Sequence, residues 1–404
     1  MIHAPLGPEV FEERRRDLAD RIAVLGLDAA VVCAAPATLG PTVDSPGQMR
    51  FLFGWTPPLS PAVGVVRADG ASAVVAGLPH DARTLRERTG QEVDVVGVPY
   101  GAESFAAAVA RLVPPRPTRV AVAGLSEATA SLARHVAPVG TSPADLAGLL
   151  FAMRAERSAE HEPLARAAAH VSDAMVRAAL DAATAGTTLA EIMSIAEATG
   201  RRLGAESASC WLSGGARTDT TLYEVGDLDW TLDRSPGVGD RLQIGTTVRY
   251  DGFYGQTLRT AVVDEPPPAL ETHAELLREI QSEVAEALRP GAELAAVGRL
   301  VRRLVDEACP YAPGDDPFRF QACHGLGLSY SEPALRAVAS PPELSAGGGR
   351  KDTVLVAPGM VVEVHPNYSV PGLGLVCIGD MVLVTDDGPA WLTRLPRTLD
   401  RLPS

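Results

Sequence analysis

The pattern of apolar and polar positions in the first third of the chain predicts an α/β unit. Residues 9–26, EVFEERRRDLADRIAVLG, place apolar side chains at helical spacing, and residues 27–35, LDAAVVCAA, form an apolar run typical of a buried strand. Residues 61–78, PAVGVVRADGASAVVAGL, predict a hairpin at Asp69-Gly70, because Asp-Gly favours tight hairpin turns. Residues 117–125, PTRVAVAGL, predict a further strand.

A long helical passage follows at residues 142–186. Within it Ser158 is a candidate N-cap, with Glu160 and Glu162 in the first turn. We place a domain boundary in this passage, near residue 152, because the pattern of elements changes beyond it. A length of 404 residues also favours two domains, which we set at residues 1–152 and 153–404.

The second part of the chain predicts helices and strands that are segregated in sequence. Thr188 and Glu191 form a capping box ahead of one helix. Two further helical patterns cover residues 269–291 and 293–309, and strand patterns cover residues 248–263, 352–368 and 373–393. The first of these strand patterns turns at Asp251-Gly252. The order predicts an α+β architecture with an antiparallel sheet, helices on one face and the other face free to form a site.

Composition narrows the possible partners. Hydrophobic residues make up 46% and charged residues 21%, as in soluble globular proteins. A formal net charge of -14 and the lack of a long Lys/Arg run argue against a nucleic-acid partner. No apolar run reaches the ~20 residues of a membrane span, and the N-terminal sequence has no apolar core of signal-peptide length, so we expect no membrane contact.

The cysteines indicate the redox environment. The chain has 5 scattered cysteines and no C-x-x-C pair, so neither a disulfide framework nor a zinc knuckle is indicated. This usage predicts a reducing, cytoplasmic location. Cys323 and Cys377 are expected to be small buried residues rather than nucleophiles.

Four stretches in order carry a family resemblance: YDGFYGQTLRT, CHGLGLSYSEP, APGMVVEVHPNY and IGDMVLVTDDG. Together they resemble the pita-bread fold shared by methionine aminopeptidase, Xaa-Pro aminopeptidase, prolidase and creatinase. The preceding α/β third resembles the N-terminal domain of the last three, which is ribonuclease H-like. The resemblance implies an N-terminal α/β domain, a C-terminal pita-bread domain with a curved antiparallel sheet, and a homodimer.

The resemblance also implies where a metal centre would lie. In the metallopeptidases of this family, two Asp, one His and two Glu hold a pair of divalent metals that activate a bridging water. The two Asp fall on Gly245 and Gln256, the His on His324, and the two Glu on His365 and Gly379. Because only His324 is unchanged, we expect no dinuclear centre and no other cofactor.

Auxiliary family positions are changed as well. The His of the family's HE.P motif falls on Ser331, beside a retained Glu332, and a further His falls on Leu222 or Tyr223. Creatinase is the family's precedent for hydrolysis without metal, and the hairpin region of this chain is most similar to that branch.

Creatine itself is not the expected substrate. The positions that match creatinase's own pocket residues are Leu222, Leu258 and His365, so a guanidino substrate would not be held in the same way.

The surviving ionisable residues suggest acid/base chemistry. Glu363 and His365 alternate on a strand and therefore share a face, which the family alignment directs at the pocket that contains His324. We interpret His324 and His365 as a general acid/base pair, with Glu363 setting the charge of one of them. A second hypothesis is a mononuclear metal held by both histidines and either Glu363 or Asp380.

Six further residues are candidates for substrate binding: Gln256, Arg259, Tyr254, Tyr368, Trp211 and Ser331. Arg259 either braces the sheet by bonding carbonyls or a carboxylate, or anchors an anionic substrate. The three aromatic residues either pack in the core or form walls for a small organic ligand.

Three functions remain open from the sequence. The first is a metal-independent creatinase-like enzyme that acts on a small amino-acid-derived substrate, by C–N hydrolysis or by an elimination, cyclisation or isomerisation in specialised biosynthesis. The second is a catalytically silent peptidase-like binding module, as in a histone chaperone. The third is a residual metal-dependent peptidase.

Overall fold

The computed structural model describes residues 6–36, 45–89, 94–97, 101–115, 118–184, 186–215, 233–310, 323–330, 332, 354–370 and 373–403. The chain divides into two compact units. The N-terminal unit comprises Ala4–Glu156 with Leu328–Tyr330, and the C-terminal unit comprises Met1–His3, Arg157–Gly327 and Ser331–Ser404.

The N-terminal unit is built on a mixed five-stranded sheet in the order β4-β3-β2-β1-β5. Its elements are α1 Pro8–Val24, β1 Ala29–Ala34, α2 Ser45–Phe53, β2 Ala62–Arg67, β3 Ser72–Ala76, α3 Pro79–Thr89, β4 Asp94–Gly97, α4 Ala102–Leu112, β5 Val120–Ala123, α5 Ala130–Val136 and α6 Leu146–Glu156. The predicted hairpin at Asp69-Gly70 is confirmed, with Gly70 at φ 88° and β2 antiparallel to β3. Val31, Val63 and Val75 pack against Phe105 in the core of this unit.

The C-terminal unit combines helices with antiparallel sheets. Its elements are α7 Glu162–Ala182, α8 Leu189–Arg202, β6 Ser207–Gly215, β7 Arg241–Tyr250, β8 Phe253–Val263, α9 Pro268–Ala287, α10 Leu294–Ala308, β9 Cys323–Leu326, β10 Val361–Val364, β11 Ser369–Val370, β12 Gly374–Leu375, β13 Asp380–Thr385, β14 Gly388–Trp391 and β15 Asp400–Leu402. Two four-stranded sheets have the orders β15-β8-β7-β6 and β14-β13-β10-β9. An antiparallel bridge between Leu258 and Gly379 joins the sheets, so the strands form one continuous surface.

The helices follow the amphipathic pattern, with one correction. The capping box of Thr188 and Glu191 at the start of α8 is confirmed. Ser158 is not the N-cap of a long helix, because residues 158–161 form a 3-10 turn and α7 begins at Glu162 after His161. The long helical passage is therefore two helices, α6 and α7, separated by that turn.

The β7–β8 hairpin turns where the sequence predicts. Asp251 and Gly252 have φ angles of 45° and 87°, a left-handed pair that Asp-Gly adopts at little cost. The turn sets the register, which places Gly245 opposite Leu258 and Thr247 opposite Gln256. Among the described residues no helix is both long and apolar enough to cross a membrane.

Candidate active site

One face of the joined sheets carries a row of residues that lie directly opposite one another. Trp211 on β6 pairs with Gly245 on β7, Gly245 pairs with Leu258 on β8, and Leu258 bridges to Gly379. Directly opposite residues project to the same face of a sheet. The four positions therefore form one row across the strands.

A second row adjoins the first. Glu363 on β10 lies opposite His324 on β9 and opposite Met381 on β13. Gly379 directly precedes β13, and Met381 is the second residue of that strand. Because the two are separated by one residue in extended backbone, they share a face. The two rows thus form a single surface, on which Trp211 and Leu258 are the apolar members and Glu363 and His324 are the ionisable ones.

The indole of Trp211 covers Gly245. A Cβ atom at residue 245 would lie 1.8 Å from both Cε2 and Cζ2 of that indole, closer than any real contact. Trp211, together with Leu258, Leu375 and Cys377, forms a small apolar cluster. The space above Gly245 is therefore filled by an aromatic ring, and only glycine fits beneath it.

Gly379 is covered in the same way from two sides. A Cβ atom there would lie 2.4 Å from Cδ1 of Leu258 and 2.5 Å from Oε1 of Glu363. The Glu363 carboxyl group therefore extends over Gly379 toward the apolar cluster. Because residue 379 is a glycine, the carboxyl group of Glu363, on the neighbouring strand β10, can occupy the space above it.

The two predicted histidines meet beside Glu363. The rings of His324 and His365 pack edge to face, with centroids 5.1 Å apart and an interplanar angle of 69°. His324 is 0% exposed, Glu363 is 0% exposed and His365 is 6% exposed. His324 Nδ1 lies 3.0 Å from the carbonyl oxygen of Gly325, which makes Nδ1 the protonated nitrogen. The structure thus brings the three predicted catalytic residues together.

Several buried polar atoms of this stretch have no hydrogen-bond partner in the described part of the chain. They are both carboxyl oxygens of Glu363, Nε2 of His365 and Nδ2 of Asn367. Asn367 was not singled out from the sequence, although a polar side chain in a buried apolar stretch is the signal that points to it. Its Oδ1 accepts a hydrogen bond from the Ile378 amide, next to Gly379.

The environment shifts the pKa values of Glu363 and His365 in opposite directions. Burial, and next the charge of Asp380, raise the pKa of Glu363 well above its ordinary value. Burial, and next the neighbouring His324, lower the pKa of His365 well below its ordinary value. Burial therefore disfavours the charged form of both groups. That Glu363 sets the charge of one of the histidines stays a prediction.

Arg259 is a structural residue, which corrects its assignment to substrate binding. Its guanidinium forms a two-pronged ion pair with Asp380, with N···O distances of 2.7 and 3.1 Å. The remaining donors bond backbone carbonyls of residues 258, 379, 395 and 396. All five N–H donors of the guanidinium are thereby used, so none is left for a ligand. Asp380 also accepts from Gln281 and Thr393, which removes it as a metal ligand.

The other predicted contacts fall into two groups. Tyr254 and Gln256 alternate with Leu258 along β8, so they share its face and border the site. Tyr368 is 1% exposed and packs edge-on against His273 of α9, which corrects its assignment as a ligand contact because no surface of its ring is open. Burial raises the pKa of Tyr368 to about 12. Cys323 and Cys377 are buried and form no disulfide, while residues 222, 223 and 331 lie outside the described residues.

Comparison with known proteins identifies the family. Metallopeptidase family M24 matches residues 163–386, more than half of the chain. The chain belongs to this family. A relative within it, the Xaa-Pro dipeptidase of Pyrococcus furiosus, is 27% identical over 249 residues, which are 61% of this chain and 65% of that protein. The match thus spans just under two thirds of the relative's length.

Solved structures confirm the pita-bread fold of M24. The dipeptidase PepE from Mycobacterium ulcerans is similar with a TM-score of 0.74 at 19% identity, and the alignment covers 99% of this chain and 100% of that one. The N-terminal domain of FACT complex subunit SPT16 from Cicer arietinum has a TM-score of 0.68 at 16% identity, covering 98% and 99%. At these identities the likeness concerns the fold alone.

The residues present do not fit the paired metal ions of M24 metallopeptidases. At the five positions that the family resemblance implies for the ligands, the chain offers two glycines, one glutamine and two histidines, and so no anionic ligand. The spaces above Gly245 and Gly379 are filled by Trp211, Leu258 and Glu363. Among the described residues, no group of three or more His, Cys, Asp or Glu is placed to hold a metal ion. Divalent metals need anionic ligands to offset their charge, so this donor set is unsuitable.

Proposed function

We propose that this M24 protein is a metal-independent enzyme that acts on a small amino-acid-derived substrate by acid/base chemistry. The observation that carries the proposal is the buried cluster of Glu363, His365 and His324 on one face of the sheet, in which burial favours the protonated form of Glu363 and the neutral form of His365. Environments that drive two pKa values apart assign one group as the acid and the other as the base. The family's relatives are peptidases, which makes hydrolysis of a C–N bond the first reaction to test.

The proposed hydrolysis uses each group once. Nε2 of His365 takes a proton from water as the water oxygen attacks the carbonyl carbon, and Glu363 donates its proton to the departing nitrogen. The imidazolium then returns a proton to the Glu363 carboxylate, so water is consumed and both groups are restored. His324 holds the His365 ring by edge-to-face packing, with its own orientation set by the carbonyl of Gly325.

The size of the rate enhancement that acid/base catalysis supplies restricts the class of substrate. Acid/base catalysis supplies roughly 10²–10⁴ in rate, which suffices for an activated bond and is too little for an unactivated amide. A strained or activated substrate is therefore favoured, and an elimination, cyclisation or isomerisation would use the same acid and base.

The test is turnover of a mixed panel of Xaa-Pro dipeptides, cyclic amides and activated amides, followed by mass spectrometry. We expect His365→Gln and Glu363→Gln each to lower turnover by roughly 10² or more, because each removes one proton transfer. His135→Gln on the surface is the matched control, since it removes an exposed histidine of the other unit. Full turnover in both site variants would refute the acid/base assignment.

A binding module is the second candidate. Two observations favour it: the apolar filling above Gly245 and Gly379, and the fold likeness to a domain of a FACT complex subunit. In that case no panel member is consumed, and the protein instead forms a stable complex with a macromolecular partner. Turnover of any panel member that is lost in His365→Gln excludes this candidate.

A further inference from the structure

We propose that the surface formed by Trp211, Leu258, Glu363, His365 and Asn367 binds an uncharged ligand that carries a carboxamide-type group on an apolar ring. The inference rests on the proposed function insofar as it names the substrate class of the same site. It is carried by three features of that surface: unused hydrogen-bonding atoms, the absence of an available counter-ion among the described residues, and an apolar wall.

The unused polar atoms define what the ligand must offer. Glu363 and His365 present one protonated carboxyl group and one bare ring nitrogen, and Asn367 presents an amide N–H, all buried and without partners in the described part of the chain. A buried polar group left without a partner costs about 1–3 kcal/mol, so such groups indicate a missing ligand or ordered water. A carboxamide supplies a carbonyl acceptor for the Asn367 N–H and an N–H donor for the carbonyl oxygen of the Glu363 carboxyl group, which leaves Nε2 of His365 to bind water.

The surrounding charges favour a neutral ligand. Arg259 is fully used by Asp380 and backbone carbonyls, and Arg241 donates to the carbonyls of Leu373 and Leu375. Neither arginine is therefore available to pair with a ligand carboxylate. A fully buried carboxyl group without a counter-ion keeps its proton, so Glu363 offers no negative charge to a ligand cation. A charged ligand would lose its hydration without a compensating partner.

The apolar wall defines the remainder of the ligand. Trp211 is only partly buried, and its indole covers Gly245 at the edge of the cluster with Leu258. Leu258 lies between the indole and the Glu363 carboxyl group, because it pairs with Gly245 on one side and bridges to Gly379, beside Glu363, on the other. Neighbouring strands are about 4.8 Å apart. An aromatic ring of the ligand placed over Leu258 can therefore contact Trp211, while the carboxamide group on that ring reaches Glu363.

Three probes of equal size test the inference: benzamide, benzoate and benzamidine, which carry the same ring and differ in charge. Ligand-observed NMR on the full chain at neutral pH gives their relative affinities. We expect benzamide to bind roughly tenfold more tightly than either charged probe. Trp211→Ala should weaken benzamide roughly tenfold, whereas Trp211→Phe should retain most of the affinity because an aromatic face remains. Trp391→Phe, which changes the ring packed against Arg397, is the matched control and should leave binding unchanged.

The outcomes separate this inference from the proposed function. Equal or tighter binding of benzoate or benzamidine overturns it, and tighter benzamidine would show that Glu363 is charged. No binding of benzamide at millimolar concentration, or equal loss in Trp211→Ala and Trp391→Phe, also overturns it. If benzamide binds as expected but turnover is unchanged in His365→Gln and Glu363→Gln, the proposed function fails and the inference stands. If turnover needs both residues while a charged probe binds best, the proposed function stands and the inference about the ligand fails.

Discussion

The indole of Trp211 lies directly over Gly245, its cross-strand partner, so that a Cβ atom at 245 would be 1.8 Å from two ring carbons. Gly245, the position that the family resemblance implies for a metal-binding Asp, is thus a glycine whose side-chain space is filled by a tryptophan. Gly379, the position implied for a metal-binding Glu, is covered in the same way by Glu363 and Leu258. At both positions a neighbouring side chain fills the space that a side chain of the glycine residue would need. We infer that the surface is repacked around these glycines.

Gly245→Asp should destabilise the protein, because a side chain cannot fit beneath the indole. Overpacking costs about 1–3 kcal/mol, and the buried carboxylate adds to it. Urea denaturation of Gly245→Asp and of Trp211→Ala/Gly245→Asp measures the effect, and the double variant should lose less than the sum of its parts. Gly237→Ala is the control, since its nearest neighbour is 3.7 Å from the added atom. Strict additivity would show that the indole does not occupy this space.

Breaking the Arg259–Asp380 pair should cost more than any surface ion pair. Both side chains are buried, with 0% and 1% of their area exposed, and removing one partner leaves a buried charge at a cost of about 3–5 kcal/mol. We expect Asp380→Asn to lower the free energy of unfolding by that order. Arg401→Ala, which breaks exposed pairs with Glu265 and Glu271, should cost about 0–1 kcal/mol. Equal losses in the two variants would contradict the structural role of Arg259.

Stability should fall at acid pH in part through His273. Burial lowers the pKa of His273, which lies 3.2 Å from the Tyr368 carbonyl through Nε2. A depressed histidine pKa means that the unfolded state binds the proton first, so the contribution is fully present above the unfolded value and is lost as pH falls below it. In thermal melts from neutral to acid pH, His273→Gln should lose less stability than the parent. A parallel decline of the two proteins would show that His273 does not contribute.

Metal ions should have no effect on the protein. The five positions that the family resemblance implies for metal ligands offer no carboxylate, and the two glycines among them are covered by other side chains. We therefore expect chelator treatment and added Mn²⁺, Co²⁺ or Zn²⁺ to leave the melting temperature and turnover unchanged, because a ligand that binds the native state would raise stability. Two metal equivalents in elemental analysis of untreated protein would refute this.

Much of the architecture follows from local patterns in the sequence. The hairpin at Asp251-Gly252 forms because this dipeptide accepts the left-handed backbone of a tight turn, and α8 begins at Thr188 because the capping box satisfies free amides. Motif order likewise indicated the pita-bread fold, which the solved structures confirm. Each of these signals lies within a few residues, so no distant contact is needed to interpret it.

The character of the site was decided by contacts between strands that are distant in sequence. Nothing near Glu363 in the sequence reveals that its carboxyl group fills the space above Gly379, or that burial there raises its pKa. Arg259 is likewise engaged by Asp380, 121 residues away. The sequence by itself determined the elements and their order, and it predicts the changed family positions. Only the tertiary structure decided which side chains fill the resulting space and in what charge state, because burial and strand register, unlike turns and caps, depend on the whole chain.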